Sequence, residues 1–187
     1  MSEVKSFDIL VAGGGMIGSA LALGLSRQGW QVALVEGADH ETLVRAPEPA
    51  ATVADFEPRV SAISVASQRL LEQLGVWPEV TAGRHCPYQT MTVWDGDGTG
   101  RIQFEAAELQ ARALGTIVEN RGIVRALFRA LEQSPVELIE GVRIAGCRRS
   151  SGRYALELED GRSLAAGLVV GCDGANSRLR QWVGLPT

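Results

Sequence analysis

The segment GGGMIG at residues 13–18, set between a short apolar run and a helical pattern, constrains the fold of this chain most. Residues 7–12 have the character of a buried parallel strand. Apolar residues then recur at helical intervals over 16–28, and a second apolar run at 32–35 ends at Glu36. This order predicts a compact strand–helix–strand unit at the start of the fold.

The glycines of this segment stand in G-x-G-x-x-G spacing. Gly13 permits the tight turn, Gly15 lets a pyrophosphate approach the backbone, and Gly18 lets the helix pack closely on the strand. The first helical N–H groups, on Met16 and Ile17, then face the phosphates at the positive end of the helix dipole. Because the strand and helix contexts are both satisfied, the spacing predicts that an adenine dinucleotide binds here, without choosing between FAD and NAD.

An acidic residue closes the second predicted strand. Glu36 follows the glycines by about twenty residues, where a carboxylate accepts hydrogen bonds from both ribose hydroxyls. A carboxylate at this place also disfavours a 2′-phosphate, so NADP is not expected in this pocket.

A second polar strand end occurs at residues 171–181, GCDGANSRLRQ. Ser177 or Asn176 is suited to cap the helix that follows, and Asp173-Gly174 is also a common turn sequence. Ligands of open parallel sheets gather at the carboxyl ends of the strands. We therefore predict that Asp173 and Gly174 contact the same long cofactor as the glycine-rich turn.

The remaining segments favour an α/β fold, a Rossmann-like FAD/NAD(P)-binding fold with a parallel sheet and an inserted antiparallel β-meander. The meander is predicted from Val136 onward and ends in a last apolar strand at 167–172. A β-hairpin is predicted where DGDGTG separates two strand-like runs, within 86–106, and a surface loop is predicted at 46–58. Residues 1–187 are interpreted as one domain, with the hairpin as an excursion from it.

Composition excludes several classes of function. A net charge of −4 leaves no broad basic surface for nucleic acid, and the three scattered cysteines suit a reducing cytoplasm better than a disulfide framework. No apolar run approaches the length of a membrane span. His40, His85 and Cys86 lack metal-ligand spacing, and no serine or cysteine pairs with a histidine, so neither a metal site nor a catalytic nucleophile is expected.

The segment CDGANSRLR closely resembles the DG motif of the FAD-dependent aromatic hydroxylases, which are single-component flavin monooxygenases. EPRVSAIS at 57–64 resembles the arginine-containing segment of that family, and VENRGIVRAL at 118–127 resembles the helix start that touches the FAD. The resemblance implies that Arg59, Asn120 and Arg125 contact the flavin cofactor.

More narrowly, RVSAIS, LGVW, VEN and GCDGANSRLR together resemble the ubiquinone-biosynthesis hydroxylases, of both the octaprenylphenol and the methoxy-benzoquinol type. The resemblance implies a bound FAD, NADPH or NADH as the reductant, and O₂ as the source of the oxygen atom that enters a polyprenylated phenol or benzoquinol ring. It assigns no catalytic side chain, because the cofactor carries the chemistry.

Members of that family continue through a substrate-covering sheet and a second flavin-binding motif. The expectation is therefore an N-terminal portion that does not hydroxylate alone, with the hairpin at 86–106 belonging to an incomplete substrate sheet. Two other interpretations stay open: another dinucleotide-dependent oxidoreductase of the same fold, and a truncated, non-catalytic domain that binds partners in a ubiquinone-synthesis assembly. A cytoplasmic location is expected, and association with the inner membrane face and homo-oligomerisation are left open.

Overall fold

The computed structural model describes residues 4–45, 52, 57–150 and 152–185, and for Ser150 the backbone only. The chain divides into two compact units, the first formed by Met1–Ala46 and Val124–Thr187 and the second by Pro47–Ile123. Most of the loop predicted at 46–58 lies outside the described residues.

In chain order, the helices and strands are β1 (Lys5–Ala12), α1 (Met16–Arg27), β2 (Val32–Val35), α2 (His40–Val44), β3 (Val60–Ser64), α3 (Val65–Gln73), α4 (Trp77–Ala82), β4 (His85–Tyr88), β5 (Thr90–Trp94), β6 (Arg101–Glu105), β7 (Gly115–Glu119), α5 (Asn120–Glu132), β8 (Glu137–Ile139), β9 (Ile144–Ser150), β10 (Arg153–Leu158), β11 (Ser163–Gly171) and α6 (Arg178–Trp182). A 3₁₀ turn at Ala106–Leu109 follows β6.

The first unit is built on a six-stranded sheet with the order β8-β2-β1-β11-β10-β9. Strand β1 pairs in parallel with both β2 and β11, and β2 pairs in parallel with β8. Leu10, Val11 and Leu34 on β1 and β2 are almost completely buried, as expected for parallel strands covered on both faces. The predicted strand–helix–strand unit and the α/β class of the fold are confirmed.

The last strand is longer than the sequence predicted. Strand β11 begins at Ser163, pairs antiparallel with β10 over its first half, and pairs in parallel with β1 from Leu164 to Gly171. Its first residues alternate between buried and partly exposed positions, with Leu164 and Ala166 in the core. From the sequence, this alternation predicts a separate strand of the meander. Only the pairing with β1 shows that these residues and the apolar run at 167–172 belong to one strand.

The second unit contains two small antiparallel sheets, with the orders β3-β7-β4 and β5-β6. Strands β5 and β6 form the predicted hairpin around DGDGTG, whereas residues 85–88 form the separate strand β4, which pairs with β7. In this ribbon Met91 faces Phe104 and Val93 faces Ile102. All four side chains are exposed, which makes one face of the ribbon apolar.

The helices of both units are short. A helix needs about 20 consecutive apolar residues to span a bilayer. The longest described helix, α5, has 13 residues, and no helix among the described residues combines the length and the apolar character that a membrane crossing requires.

Candidate functional site

A cavity of about 460 Å³ opens in the first unit where β1, β2 and β11 end. Its volume lies within the range of roughly 300–1,000 Å³ that is typical of small-molecule sites. The carboxyl ends of these three parallel strands meet at one edge of the sheet, which is where ligands of open α/β sheets bind. The lining residues are Gly13, Gly15, Val35, Glu36, Gly37, Val142, Arg143, Ile144, Cys172, Asp173, Gly174, Asn176, Arg178 and Trp182.

The glycine-rich turn is in close backbone contact with the end of β11. Gly13 has φ +101°, and a Cβ atom on it would lie 2.5 Å from the carbonyl oxygen of Cys172. A Cβ atom on Gly18 would collide with the carbonyl oxygen of Gly13, so α1 starts directly against the turn. Alanine at position 13 would force the turn away from the end of β11, and alanine at position 18 would force α1 away from the turn, which explains why glycine is needed at both.

The N-terminus of α1 presents uncapped N–H groups. Gly15 is the N-cap residue, no side chain of the described residues caps this helix, and its first turn contains no acidic residue. The first backbone hydrogen bond within the helix runs from Ser19 N to Gly15 O, so the N–H groups of Met16 and Ile17 remain available. Gly13 and Gly15 line the cavity beside them. This end of the helix suits an anionic group such as a diphosphate.

Glu36 is held in place by two backbone N–H groups. Its Oε2 atom accepts a hydrogen bond of 2.6 Å from Gly14 N, and its Oε1 atom accepts one of 2.8 Å from Ala38 N. Each carboxylate oxygen has about two acceptor positions, so both retain capacity for a further donor. A carboxylate fixed in this way at the cavity wall is suited to accept hydrogen bonds from a ribose diol.

Asp173 and the turn after β11 form the part of the lining next to Gly13. The Oδ2 atom of Asp173 accepts a hydrogen bond of 3.1 Å from Leu179 N, and no described residue donates to its Oδ1 atom. Ser177 caps α6 by accepting a hydrogen bond of 3.0 Å from Arg180 N, which decides between the two predicted cap residues. Asn176, the other candidate, lines the cavity instead.

The glycine turn, the uncapped helix and the fixed carboxylate together fit the diphosphate and ribose of an adenine dinucleotide. Comparison with known proteins identifies which dinucleotide the family binds. The model of the family described as FAD binding domain matches residues 6–187. The chain belongs to this FAD-binding family.

Two curated relatives of this chain are named as hydroxylases of a demethoxyubiquinol or of ubiquinone. It is 43% identical to 3-demethoxyubiquinol 3-hydroxylase of Escherichia coli K12, over 95% of this chain and 44% of the relative. It is 34% identical to ubiquinone hydroxylase UbiL of Rhodospirillum rubrum, over 98% of this chain and 41% of the relative. The chain therefore spans less than half of the length of either relative. The resemblance inferred from the sequence motifs is confirmed.

Solved structures confirm the fold. The p-nitrophenol 4-monooxygenase PnpA from Pseudomonas putida DLL-E4 superposes with a TM-score of 0.73 at 19% identity, over 98% of this chain and 45% of that chain. The flavin-dependent monooxygenase PieE superposes with a TM-score of 0.69 at 19% identity, over 96% of this chain and 32% of that chain. The Rossmann-like FAD-binding fold predicted from the sequence is thus shown for the FAD-binding chain.

The structure brings together most of the predicted site residues of the first unit. The ones that line the cavity described above are Gly13, Gly15, Glu36, Asp173 and Gly174. Met16, Ile17 and Gly18 form the adjoining first turn of α1. Arg125 lies half-buried on α5, outside the cavity lining.

The other two predicted residues, Arg59 and Asn120, lie in the second unit, where they are joined through the backbone. Asn120 N donates to Arg59 O over 3.0 Å, and the Ser61 hydroxyl donates to Asn120 Oδ1 over 2.6 Å. Next to Asn120, the Glu119 carboxylate accepts hydrogen bonds from the Arg84 guanidinium and fixes the end of β7. The side chain of Arg59 is exposed.

Several lining residues were not predicted from the sequence. Gly37 follows the acidic residue that closes β2 and belongs to no predicted motif, and Arg143 lies in the turn before β9, which carries no recognisable pattern. Asn176 and Arg178 stand within the polar segment GCDGANSRLRQ, whose position at the end of an apolar run was the available signal. Trp182 lies at the end of α6, where an aromatic residue is equally typical of packing.

Cys172 provides a chemical probe of the cavity. Burial, and secondarily the neighbouring Asp173 carboxylate, raise the pKa of the Cys172 thiol above its ordinary value. A raised pKa leaves less thiolate at a given pH, and the thiolate is the reactive form. At pH 8 we expect iodoacetamide to modify Cys172 roughly tenfold more slowly than the exposed Cys86, with a rate that keeps rising as the pH increases.

Peptide mass spectrometry of both sites measures this difference. Cys86 is the internal control, since it lies in the second unit and is exposed. Saturation with FAD should slow modification of Cys172 further and leave Cys86 unaffected. Equal rates at the two cysteines, or equal protection of both, would contradict the placement of Cys172 in the ligand cavity.

Proposed function

We propose that the chain is the FAD-binding part of a flavin-dependent monooxygenase. In this proposal NADPH or NADH is the reductant, and O₂ supplies the oxygen atom inserted into a polyprenylated phenol or benzoquinol ring during ubiquinone biosynthesis. The cavity that unites Gly13, Gly15, Glu36 and Asp173 carries the proposal, because it fits the adenosine diphosphate portion of FAD. The named functions of the E. coli and R. rubrum relatives support the choice of pathway.

The proposal assigns FAD contacts to eleven residues: Gly13, Gly15, Met16, Ile17, Gly18, Glu36, Arg125, Asp173 and Gly174 of the first unit, and Arg59 and Asn120 of the second. In the first unit the uncapped helix N-terminus and the Glu36 carboxylate support the assignment. In the second unit the resemblance of EPRVSAIS and VENRGIVRAL to flavin-contacting segments supports it. When bound, FAD supplies the redox chemistry, and the residues of this chain bind and orient it.

An FAD titration tests whether the 187-residue chain binds this cofactor. Binding is followed by flavin fluorescence and by the thermal unfolding midpoint. We expect saturable binding and a midpoint that rises with the FAD concentration, because a ligand that binds only the folded state stabilises it. Stabilisation by NAD with no effect of FAD would favour a different dinucleotide-dependent oxidoreductase instead.

A chimeric enzyme tests the proposed substrate class. This chain replaces the corresponding 44% of the E. coli 3-demethoxyubiquinol 3-hydroxylase, and the chimera is expressed in a strain that lacks that enzyme. We expect ubiquinone to reappear in lipid extracts, and a chimera carrying Glu36→Gln to restore much less. The 187-residue chain alone is expected to bind FAD without coupled NADPH oxidation and product formation. A chimera that folds and binds FAD but restores no ubiquinone would contradict the proposed substrate class.

A further inference from the structure

Arg143 lies in the cavity wall without belonging to any motif. It precedes β9, and backbone hydrogen bonds hold it and the preceding residue in place. Its carbonyl oxygen accepts a hydrogen bond of 2.9 Å from Glu159 N, and the preceding Val142 N donates to Glu36 O over 3.4 Å. The backbone of Arg143 is thereby placed beside the residues that follow β2.

The side chain of Arg143 occupies space that Gly37 leaves open. A Cβ atom on Gly37 would lie 3.1 Å from Arg143 Cγ and 3.6 Å from Arg143 Nε. The Cγ methylene group therefore lies against the backbone just after Glu36, and Nε, which belongs to the guanidinium, lies beside the same residue. A methyl group at position 37 would require the stem of Arg143 to shift by a few tenths of an ångström.

Arg143 differs from the other arginine in the cavity wall. The Arg178 guanidinium lies 5.1 Å from the centroid of the Trp182 ring and 3.9 Å from a Glu159 carboxylate oxygen. The Arg143 guanidinium has no hydrogen bond or ion pair with any residue that the structure describes, and Arg143 is an exposed residue of the cavity lining. It is therefore available to a ligand in a way that Arg178 is not.

The order of the groups along the cavity indicates which part of a ligand Arg143 meets. The α1 N-terminus suits the diphosphate and Glu36 suits the ribose. Gly37 follows Glu36 in the chain, and the side chain of Arg143 lies against Gly37. In an adenine nucleotide the group beyond the ribose is the base. Val142 and Ile144, which also line the cavity, add apolar surface on either side of Arg143 in the chain.

We propose that Arg143 positions the adenine base of the bound dinucleotide by stacking its planar guanidinium on the ring, and that Gly37 leaves the space for this position. Guanidinium groups stack on aromatic faces, whereas the ammonium group of lysine does not offer a plane. This inference rests on the part of the proposed function that places an adenine dinucleotide in the cavity, and it is independent of whether that dinucleotide is FAD.

Calorimetric titration of the 187-residue chain with ADP and with FAD tests the inference. We expect Arg143→Ala to weaken both ligands about tenfold. Arg143→Lys, which keeps the charge and loses the plane, should weaken them nearly as much. Arg162→Ala is the matched control and should bind like the wild type, because Arg162 pairs with Asp160 over 2.7 Å outside the cavity lining.

The variant Gly37→Ala tests the role of Gly37. It should weaken ADP severalfold in the wild-type background and have no further effect in Arg143→Ala, because the two changes disturb the same contact. Wild-type affinity in Arg143→Ala or in Arg143→Lys would overturn the stacking role, and additive losses would overturn the role of Gly37. Binding of ADP without FAD, with the Arg143 effect intact, would contradict only the choice of FAD. Failure of the wild-type chain to bind either ligand would overturn both proposals.

Discussion

Replacing Gly13 with alanine is expected to destabilise the first unit by about 3–4 kcal/mol and to abolish dinucleotide binding. Two costs add at this position. The φ angle of +101° is one that residues with a Cβ atom adopt only with strain, and the new Cβ atom would lie 2.5 Å from the carbonyl oxygen of Cys172. Relief of that overlap requires the turn to move away from β11, which disrupts the cavity wall.

Urea denaturation followed by circular dichroism measures the loss, and hydrogen exchange of the β1 amides localises it. Gly29→Ala is a matched control, since Gly29 has φ +87° but a Cβ atom on it would meet no atom of the described residues within 4 Å beyond its chain neighbours and its own helix. It should cost only the conformational strain, about 1 kcal/mol. Equal losses in the two variants would show that the contact between Gly13 and Cys172 does not constrain the turn.

Replacing Glu36 with glutamine is expected to weaken FAD binding about 30-fold. Gly14 N and Ala38 N each donate to a different oxygen of the Glu36 carboxylate. A glutamine has one carbonyl oxygen, so its NH₂ group would face one of these two donors and turn the side chain out of its place. The ribose would then lose a charged acceptor, and the glycine turn would lose one of its hydrogen bonds.

Fluorescence titration with FAD gives the affinities of the variants. Glu41→Gln is the control, because it removes the same charge from an exposed position on α2 outside the cavity lining. It should bind FAD like the wild type. A loss of the same size in Glu41→Gln would attribute the effect to net charge, and an unchanged affinity in Glu36→Gln would remove the ribose contact from the proposal.

Local sequence patterns were sufficient to predict the helix and strands that form the cavity. The glycine spacing, the periodicity of α1 and the apolar run of β2 each lie within a short window, and all three elements formed where they were predicted. The hairpin around DGDGTG formed for the same reason, because its turn residues determine it locally. The start of β11 was missed, since its pairing with β1 involves residues distant in the chain.

The sequence alone determined the class of fold, the dinucleotide turn and the acidic residue that closes β2, because glycine conformation and hydrophobic periodicity are local properties. Three contacts of the cavity were not predictable from the sequence: Cys172 lies against Gly13, Gly14 and Ala38 hold Glu36, and Arg143 lies beside Gly37. These contacts depend on which strands are neighbours in the sheet. Strand order follows from the packing of the whole unit, and no short stretch of residues encodes it.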